Sequence, residues 1–396
     1  MYKHLRITGA ILLSGLLMSQ SSFGQTSLDG KKVGTGAVGT AVPFLTISPD
    51  ARSGAMGDVG IAISPDANSQ YWNVGKVVKN KDKYGFSITY TPWLSDIVKD
   101  VFLGYLSGYA KFGENDNQAI SASLRYFNLG DIQFTDIQGE HIGTGSPREF
   151  SFDLGYSRDL SEHLSLGANL RYIHSNIVSG AGATEIGAES KPGNAFAADL
   201  GVFYTTTSQL ADEQAGTFNA GAVLTNVGSK ITYSERNKDF LPARLGLGAA
   251  YNYKFDRYSE LAFGVDLQKT LVPAPIEKED ENGDRFWDTE YYQDMGVVTG
   301  IFESFKHAPK GFGTNIAVGA EYWYQQQFAL RAGYYYEHKD NGNRQYLTAG
   351  VGIKYNIFGL NFSYLVPSGS STTRNPLSNT LRFSLTFDFD QLGKQE

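Results

Sequence analysis

From residue 83 onward the chain breaks into segments of about a dozen residues in which apolar side chains alternate with polar or small ones. In EFSFDLGYSRDL, Phe150, Phe152, Leu154 and Tyr156 form one face, and Ser151, Asp153, Gly155 and Ser157 the other. In ELAFGVDLQKTLV, Leu261, Phe263, Val265 and Leu267 oppose Ala262, Gly264, Asp266 and Gln268. In NTLRFSLTFDF, Leu381, Phe383, Leu385, Phe387 and Phe389 oppose Arg382, Ser384, Thr386 and Asp388. A period of two is the mark of a strand with two unlike surroundings. Roughly fourteen such segments begin near Lys83, Val101, Gln118, Glu149, Leu164, Ala195, Thr217, Leu241, Ser259, Gly311, Phe328, Gln345, Ile357 and Asn379.

The connections alternate in length. GENDN, SEH and DRY follow even-numbered segments, whereas 131–148, 178–194, 229–240, 274–310 and 367–378 follow odd-numbered ones. TSQLADEQAG, after the sixth, is long for a short turn. Short turns at one end and long loops at the other, on an even number of strands, predict an all-β fold: a transmembrane antiparallel β-barrel. A soluble sandwich does not demand this parity, and a propeller would show a blade-length repeat, which is absent. The triplets Tyr334–Tyr336 and Tyr322–Tyr324 fit interfacial aromatic girdles.

The first residues carry Lys3 and Arg6, an apolar run Ile11–Met18 and a small-residue site Ser22-Phe23-Gly24, as an export signal does. That run is too short to span a bilayer as a helix. The expected organisation is a signal peptide at 1–24, a hatch at 25–82, an outer-membrane barrel at 83–389 with a long extracellular loop at 274–310, and a periplasmic tail at 390–396. Both termini are expected on the periplasmic side.

Composition narrows the function. The net charge of −7 argues against a nucleic-acid partner, which needs clustered Lys and Arg. The chain has no cysteine, so thiol catalysis, disulfides, thiolate metal sites and lipoprotein anchoring are excluded. Gly54, Gly57 and Gly60 stand three apart, yet no hydrophobic strand precedes them, no long helix follows, and the spacing is not that of a dinucleotide loop. The repeated Ser-Pro-Asp at Ser48 and Ser64 reads as two helix starts around a strand-like VGIAI, with Ser as cap and Pro at the first helical position. In KEDENGDRFWD, Asp280, Asn282, Asp284 and Asp288 have the alternate spacing of a calcium loop. Arg285 replaces the required Gly and Tyr291 the bidentate Glu, which favours a solvated acidic loop and no metal. There is no G-x-S-x-G or H-E-x-x-H, and His141, His163, His174, His307 and His338 are scattered. No catalytic site and no cofactor are expected.

DARSGAMGDVGIAISPDANSQYWN, residues 50–73, resembles the N-terminal signature of the PorV/PorQ proteins of the type IX secretion system, within the wider FadL-like outer-membrane superfamily. Its hatch residues here are Asp50, Arg52, Gly57, Asp58, Gly60, Trp72 and Asn73. One departure is Asn73-Val74-Gly75, where the family usually has Asn-Pro-Ala, so the conformation of the hatch-to-barrel junction is open. The resemblance implies a non-enzymatic outer-membrane component. It would bind the SprA/Sov-like type IX translocon barrel, capture cargo proteins through their C-terminal domains, and deliver them to a surface complex with a sortase-like (PorU-like) peptidase. The alternative is a FadL-like channel for small hydrophobic molecules, which needs an apolar pocket under the hatch. Besides outer-membrane lipid, partner contact is expected at Phe286, Trp287, Tyr291, Tyr292, Phe302 and Phe305, aromatic anchors in an acidic loop.

Overall fold

The computed structural model describes residues 38–93, 100–135, 140–177, 191–233, 238–279, 285–288, 294–308, 312–338, 341–368 and 380–390. The expected signal peptide (1–24) and nearly all of the tail lie outside these. In chain order the strands are β1 (Tyr84–Pro92), β2 (Val101–Phe112), β3 (Gln118–Leu129), β4 (Ile132–Thr135), β5 (His141–Gly145), β6 (Arg148–Asp159) and β7 (Leu164–Asn176). There follow β8 (Gly193–Ala211), β9 (Gln214–Gly228), β10 (Ile231–Thr232), β11 (Lys238–Asp239), β12 (Arg244–Lys254), β13 (Ser259–Thr270), β14 (Ile276–Glu279) and β15 (Arg285–Asp288). The last are β16 (Thr314–Tyr324), β17 (Phe328–Glu337), β18 (Gln345–Tyr355), β19 (Phe358–Pro367) and β20 (Leu381–Phe389).

Fourteen of these close a barrel in the order β1-β2-β3-β6-β7-β8-β9-β12-β13-β16-β17-β18-β19-β20, every neighbour antiparallel, with β20 back on β1. The six others form three two-stranded ribbons in the long connections. The alternation sets the register. Ser151, Asp153, Ser157, Asp266, Arg382 and Ser384 are buried, whereas Phe152, Leu154, Phe263, Leu267, Phe383 and Leu385 face outward. A one-residue slip would turn Arg382 toward lipid, at a cost of about 2–4 kcal/mol near the midplane.

Two expectations about the wall are corrected. TSQLADEQAG is mostly strand: β8 and β9 run past their neighbours to a turn at Asp212-Glu213. Polar side chains there let the hairpin pair in water. The aromatic triplets do not act as units, because period two divides them. Tyr335 is buried and stacks on Tyr346 at 4.8 Å, and Trp323 lies against the inward guanidinium of Arg331. Their flanking Tyr322, Tyr324, Tyr334 and Tyr336 take the outward positions, in register with Leu261, Phe328 and Leu347 and with other outward residues. The two ends of the described residues lie at opposite mouths. Val38 packs with Phe240, Met295 and Val297 at the long-loop end, whereas Phe389 pairs with Tyr84 at the short-turn end.

Between these mouths, residues 41–80 fill the barrel. Phe44 and Leu45 pack with Val101, Leu103 and Phe127 near the long loops, and Val77 and Val78 with Tyr109 and Ala119 near the short turns. The segment holds two short helices, α1 (Ala51–Ala55) and α2 (Ser69–Trp72), and a 3₁₀ stretch Val74–Lys79. Neither Ser-Pro-Asp starts a helix at its serine. Asp50 caps α1 by accepting the Ser53 amide at 2.8 Å, and α2 begins only after Asn68. VGIAI is irregular rather than a strand, because the Gly60 and Ile61 amides are both taken by the Asp266 carboxylate instead of a neighbouring strand.

Candidate functional site

The hatch is held by charged groups that the wall strands present inward. Asp50 accepts the Trp72 indole N–H at 2.7 Å through its second oxygen, and the Ala51 amide donates to Ser384 Oγ at 2.8 Å. Burial, with Asp66 nearby, pushes the Asp50 carboxyl up from the usual range. From α1, Arg52 reaches across the lumen to Glu321 on β16, donating from Nε at 3.0 Å and from Nη2 at 2.7 Å. It also donates to Asp66 at 3.0 Å and to Ser64. Glu321 is shared with Arg331 of β17, whose Nε lies 2.6 Å away and whose Nη1 donates to Asn361 at 2.9 Å. This Arg–Glu–Arg bridge is buried, so each charge depends on the others for solvation.

Lys76 donates to the carbonyls of Gly60 at 2.6 Å and Ile63 at 3.3 Å. Burial pushes its ammonium down to about 8, partly opposed by Asp66. Asp58, at φ 64°, accepts the Tyr346 hydroxyl at 2.5 Å, while Gly57, at φ 70°, donates its amide to Thr348 Oγ1 at 2.8 Å. The glycines are contact points. A Cβ on Gly60 would fall 1.9 Å from the Trp72 ring, and one on Gly333 of β17 would fall 2.1 Å from the Met56 backbone. At the junction Asn73 does the closing: its Oδ1 accepts the Gly75 amide at 2.9 Å, and its Nδ2 donates to Val202 at 2.9 Å and Ile61 at 3.2 Å. A Cβ on Gly75 would sit 2.6 Å from the Gly201 carbonyl, so Val-Gly in place of Pro-Ala suits this close approach.

A second cluster sits on β6, β7 and β8. Arg171 pairs with Asp153 at 2.5 Å and Asp199 at 2.9 Å and donates to Asn226. Asn169 bonds both carboxylates and accepts from Gln70 of α2 at 3.1 Å. Arg125, buried, lies with its guanidinium 4.5 Å over the Tyr71 ring. Beside Arg171, Tyr71 and Trp72 is a cavity of about 30 Å³, lined also by Leu45, Ile61, Asp199, Val223 and Asn226 and sized for a water or two. A larger apolar groove, about 630 Å³, runs over the outside of the barrel along Phe263, Val318, Ala332, Tyr334 and Leu347.

All seven hatch residues singled out in the sequence thus meet wall or hatch partners. The loop aromatics that are described stand on two different elements. Phe286 and Trp287 stand on β15, paired in register with Lys278 and Glu277 of β14, and Phe302 and Phe305 stand on a helix, Val297–Lys306. Tyr291 and Tyr292, and the calcium-loop candidates Asp280, Asn282 and Asp284, lie outside the described residues; Asp288 is placed only by its backbone pairing with Ile276. No group of His, Asp and Glu suited to a metal occurs among the described residues. The wall residues Glu321, Arg331, Arg171, Asp199 and the hatch residue Lys76 were missed by sequence reasoning. A charged residue at an inward position of an alternating stretch, such as Glu321 in AVGAEYWY, is the signal that would have found the wall set.

No curated protein sequence matches significantly. Among solved structures, the Pseudomonas putida toluene transporter TodX aligns with a TM-score of 0.46 and 13% identity, over 85% of this chain and 96% of that one. The Ralstonia pickettii toluene transporter TbuX gives 0.47 and 12%, over 86% and 98%. A Pseudomonas aeruginosa FadL homologue gives 0.42 and 9%, over 87% and 99%. Residues 31–277 match the family described as type IX secretion system protein PorV. With well over half of its length so matched, this plugged fourteen-stranded outer-membrane barrel belongs to the PorV family of the type IX secretion system.

Proposed function

We propose that the protein is a non-enzymatic adaptor of type IX secretion, binding the translocon barrel and cargo C-terminal domains and passing cargo to the surface peptidase complex. The observation that carries this, beside family membership, is the filled lumen. A barrel whose interior is occupied by an ion-paired segment works through its rim and loops, where rigid scaffolds usually present binding residues. The reading puts the long-loop mouth outside the cell and the short-turn mouth in the periplasm. It assigns partner contact to the β14–β15 hairpin bearing Phe286 and Trp287, together with Tyr291 and Tyr292. The channel reading requires an apolar cavity beneath the hatch, whereas the cavity beside Trp72 is small and lined by Arg171 and Asp199.

Deletion of the gene with complementation tests the proposal. Cargo carrying the secretion C-terminal domain should accumulate in the periplasm and return to the surface on complementation. Normal surface delivery in the deletion strain, with hydrophobic-solute uptake lost, would replace the adaptor with a channel.

A further inference from the structure

The helix Val297–Lys306 buries a face of small residues and leaves an apolar stripe exposed. Gly300 and Ser304, one turn apart, are buried. Gly300 lies so close to Phe240 that an added Cβ would meet its ring at 2.7 Å. On the opposite stripe, at i, i+4 and i+7, Val298, Phe302 and Phe305 are exposed, Phe302 by 66%. Strand parity says which way this stripe looks. Leu261, Phe263, Val265 and Leu267 are the outward set of β13, and Lys269 continues it two residues on. Lys269 pairs with Thr314, which precedes the outward Ile316 and Val318 of β16. Yet Lys269 is buried, because the C-terminal half of the helix covers it. Its Nζ donates to the Ser304 carbonyl at 3.2 Å and the Phe312 carbonyl at 2.9 Å, and lies 5.0 Å from the Phe305 ring and 4.0 Å from the Phe312 ring. The Ala274 amide, donating to the His307 carbonyl at 2.8 Å, ties down the helix end. The helix therefore hangs over the outer side of the rim, above β13 and β16, and its free stripe continues the lipid-facing belt.

We infer that this helix is an interfacial anchor: Val298, Phe302, Phe305 and the exposed Phe312 enter the boundary of the outer leaflet. Thr299, Glu303 and Lys306 occupy the polar side of the helix, as an in-plane membrane helix requires. The occupant is lipid, because the surface is continuous with the barrel's lipid belt and because strand parity places Lys269 and Phe312 on that side. The anchor fixes the end of the longest loop beside the barrel wall, and it does not depend on which cargo or translocon the protein serves.

The absence of cysteine makes the test clean. Full-length Phe302→Cys, Val298→Cys and Glu303→Cys variants, each labelled with bimane, are reconstituted in phosphatidylcholine vesicles containing lipids brominated near the headgroup. The labels at 302 and 298 should be quenched at least about twofold more by brominated lipid than the label at 303, since an interfacial helix sinks its apolar face roughly 5–10 Å. Aqueous iodide should show the reverse order. Equal lipid quenching at all three sites, or iodide access at 302 equal to that at 303, overturns the inference. Shielding of 302 in native membranes but not in vesicles also overturns it, by showing that a protein covers the stripe. All three sites are exposed or half-buried and outside the hatch contacts, so each variant retains the barrel; its heat-dependent gel mobility verifies this.

Discussion

Replacing Glu321 by Gln removes a carboxylate that joins hatch to wall through two arginines. Both oxygens are engaged, with Arg52 at 2.7 and 3.0 Å and Arg331 at 2.6 Å. Arg52 keeps Asp66, but Arg331 has no other carboxylate within ion-pair distance among the described residues. Breaking a buried pair on one side costs about 3–5 kcal/mol. The remaining Asp66 and Asn361 partners place this case near the lower figure, or about 150-fold in the population of hatch-released molecules. Native-state hydrogen exchange reads this directly at Ser53, Gly54, Gly60 and Ile61, whose amides are bonded to Asp50 or Asp266. Exchange there should accelerate about 100-fold, while amides of β2 and β3 stay unchanged. Arg52→Met combined with Glu321→Gln should cost clearly less than the two changes summed, because the two groups act on each other. Acceleration under tenfold, or strict additivity, would refute the idea that this bridge seats the hatch.

Other outcomes follow from the same packing. Gly60→Ala and Gly333→Ala should each destabilise the hatch by about 1–3 kcal/mol through overpacking, seen as increased trypsin cleavage within 50–80, whereas Gly296→Ala, with open space around it, should change nothing. Lys76 has a lower pKa folded, about 8, than unfolded, 10.5, so the folded state carries a cost below pH 8 that fades as pH rises through that window. Hatch stability should therefore increase between about pH 8 and 10.5, and Lys76→Met should flatten the rise; an unchanged slope in that variant would mean another group titrates. Protease added to intact cells should cut within 274–310 if the long-loop mouth faces outward, and full protection of that stretch would reverse the orientation of the barrel.

The barrel wall was legible because lipid and lumen make opposite demands on successive residues, and Phe383, Ser384 and Leu385 record both. Nine of the strand starts fall within one residue of the expected positions, while those near Ala195, Thr217, Leu241, Gly311 and Asn379 differ by two or three residues. Those five follow TSQLADEQAG or a long connection, where polar residues pair outside the membrane and the alternation fades. The hatch was recognisable as a segment but not as a structure. Its order comes from partners such as Glu321, 269 residues from Arg52, and Asp266, 206 from Gly60. Local propensity therefore placed both helix starts too early. Arg382 and Asp266 were visible as inward charges, but the sequence carries no sign of what each would face.

The seat of α1 has a consequence for biogenesis. Ala51 donates to Ser384 on the last strand, and Thr348 on β18 takes both the Ala55 carbonyl and the Gly57 amide. The hatch thus docks on the C-terminal strands β18 and β20, while β1, which directly follows it, forms the seam with β20. A finished barrel offers no side entrance for forty residues already tethered to its first strand. Closing the cylinder needs β20 and seating the hatch needs β18 and β20, so neither is complete before the C-terminal strands are in place.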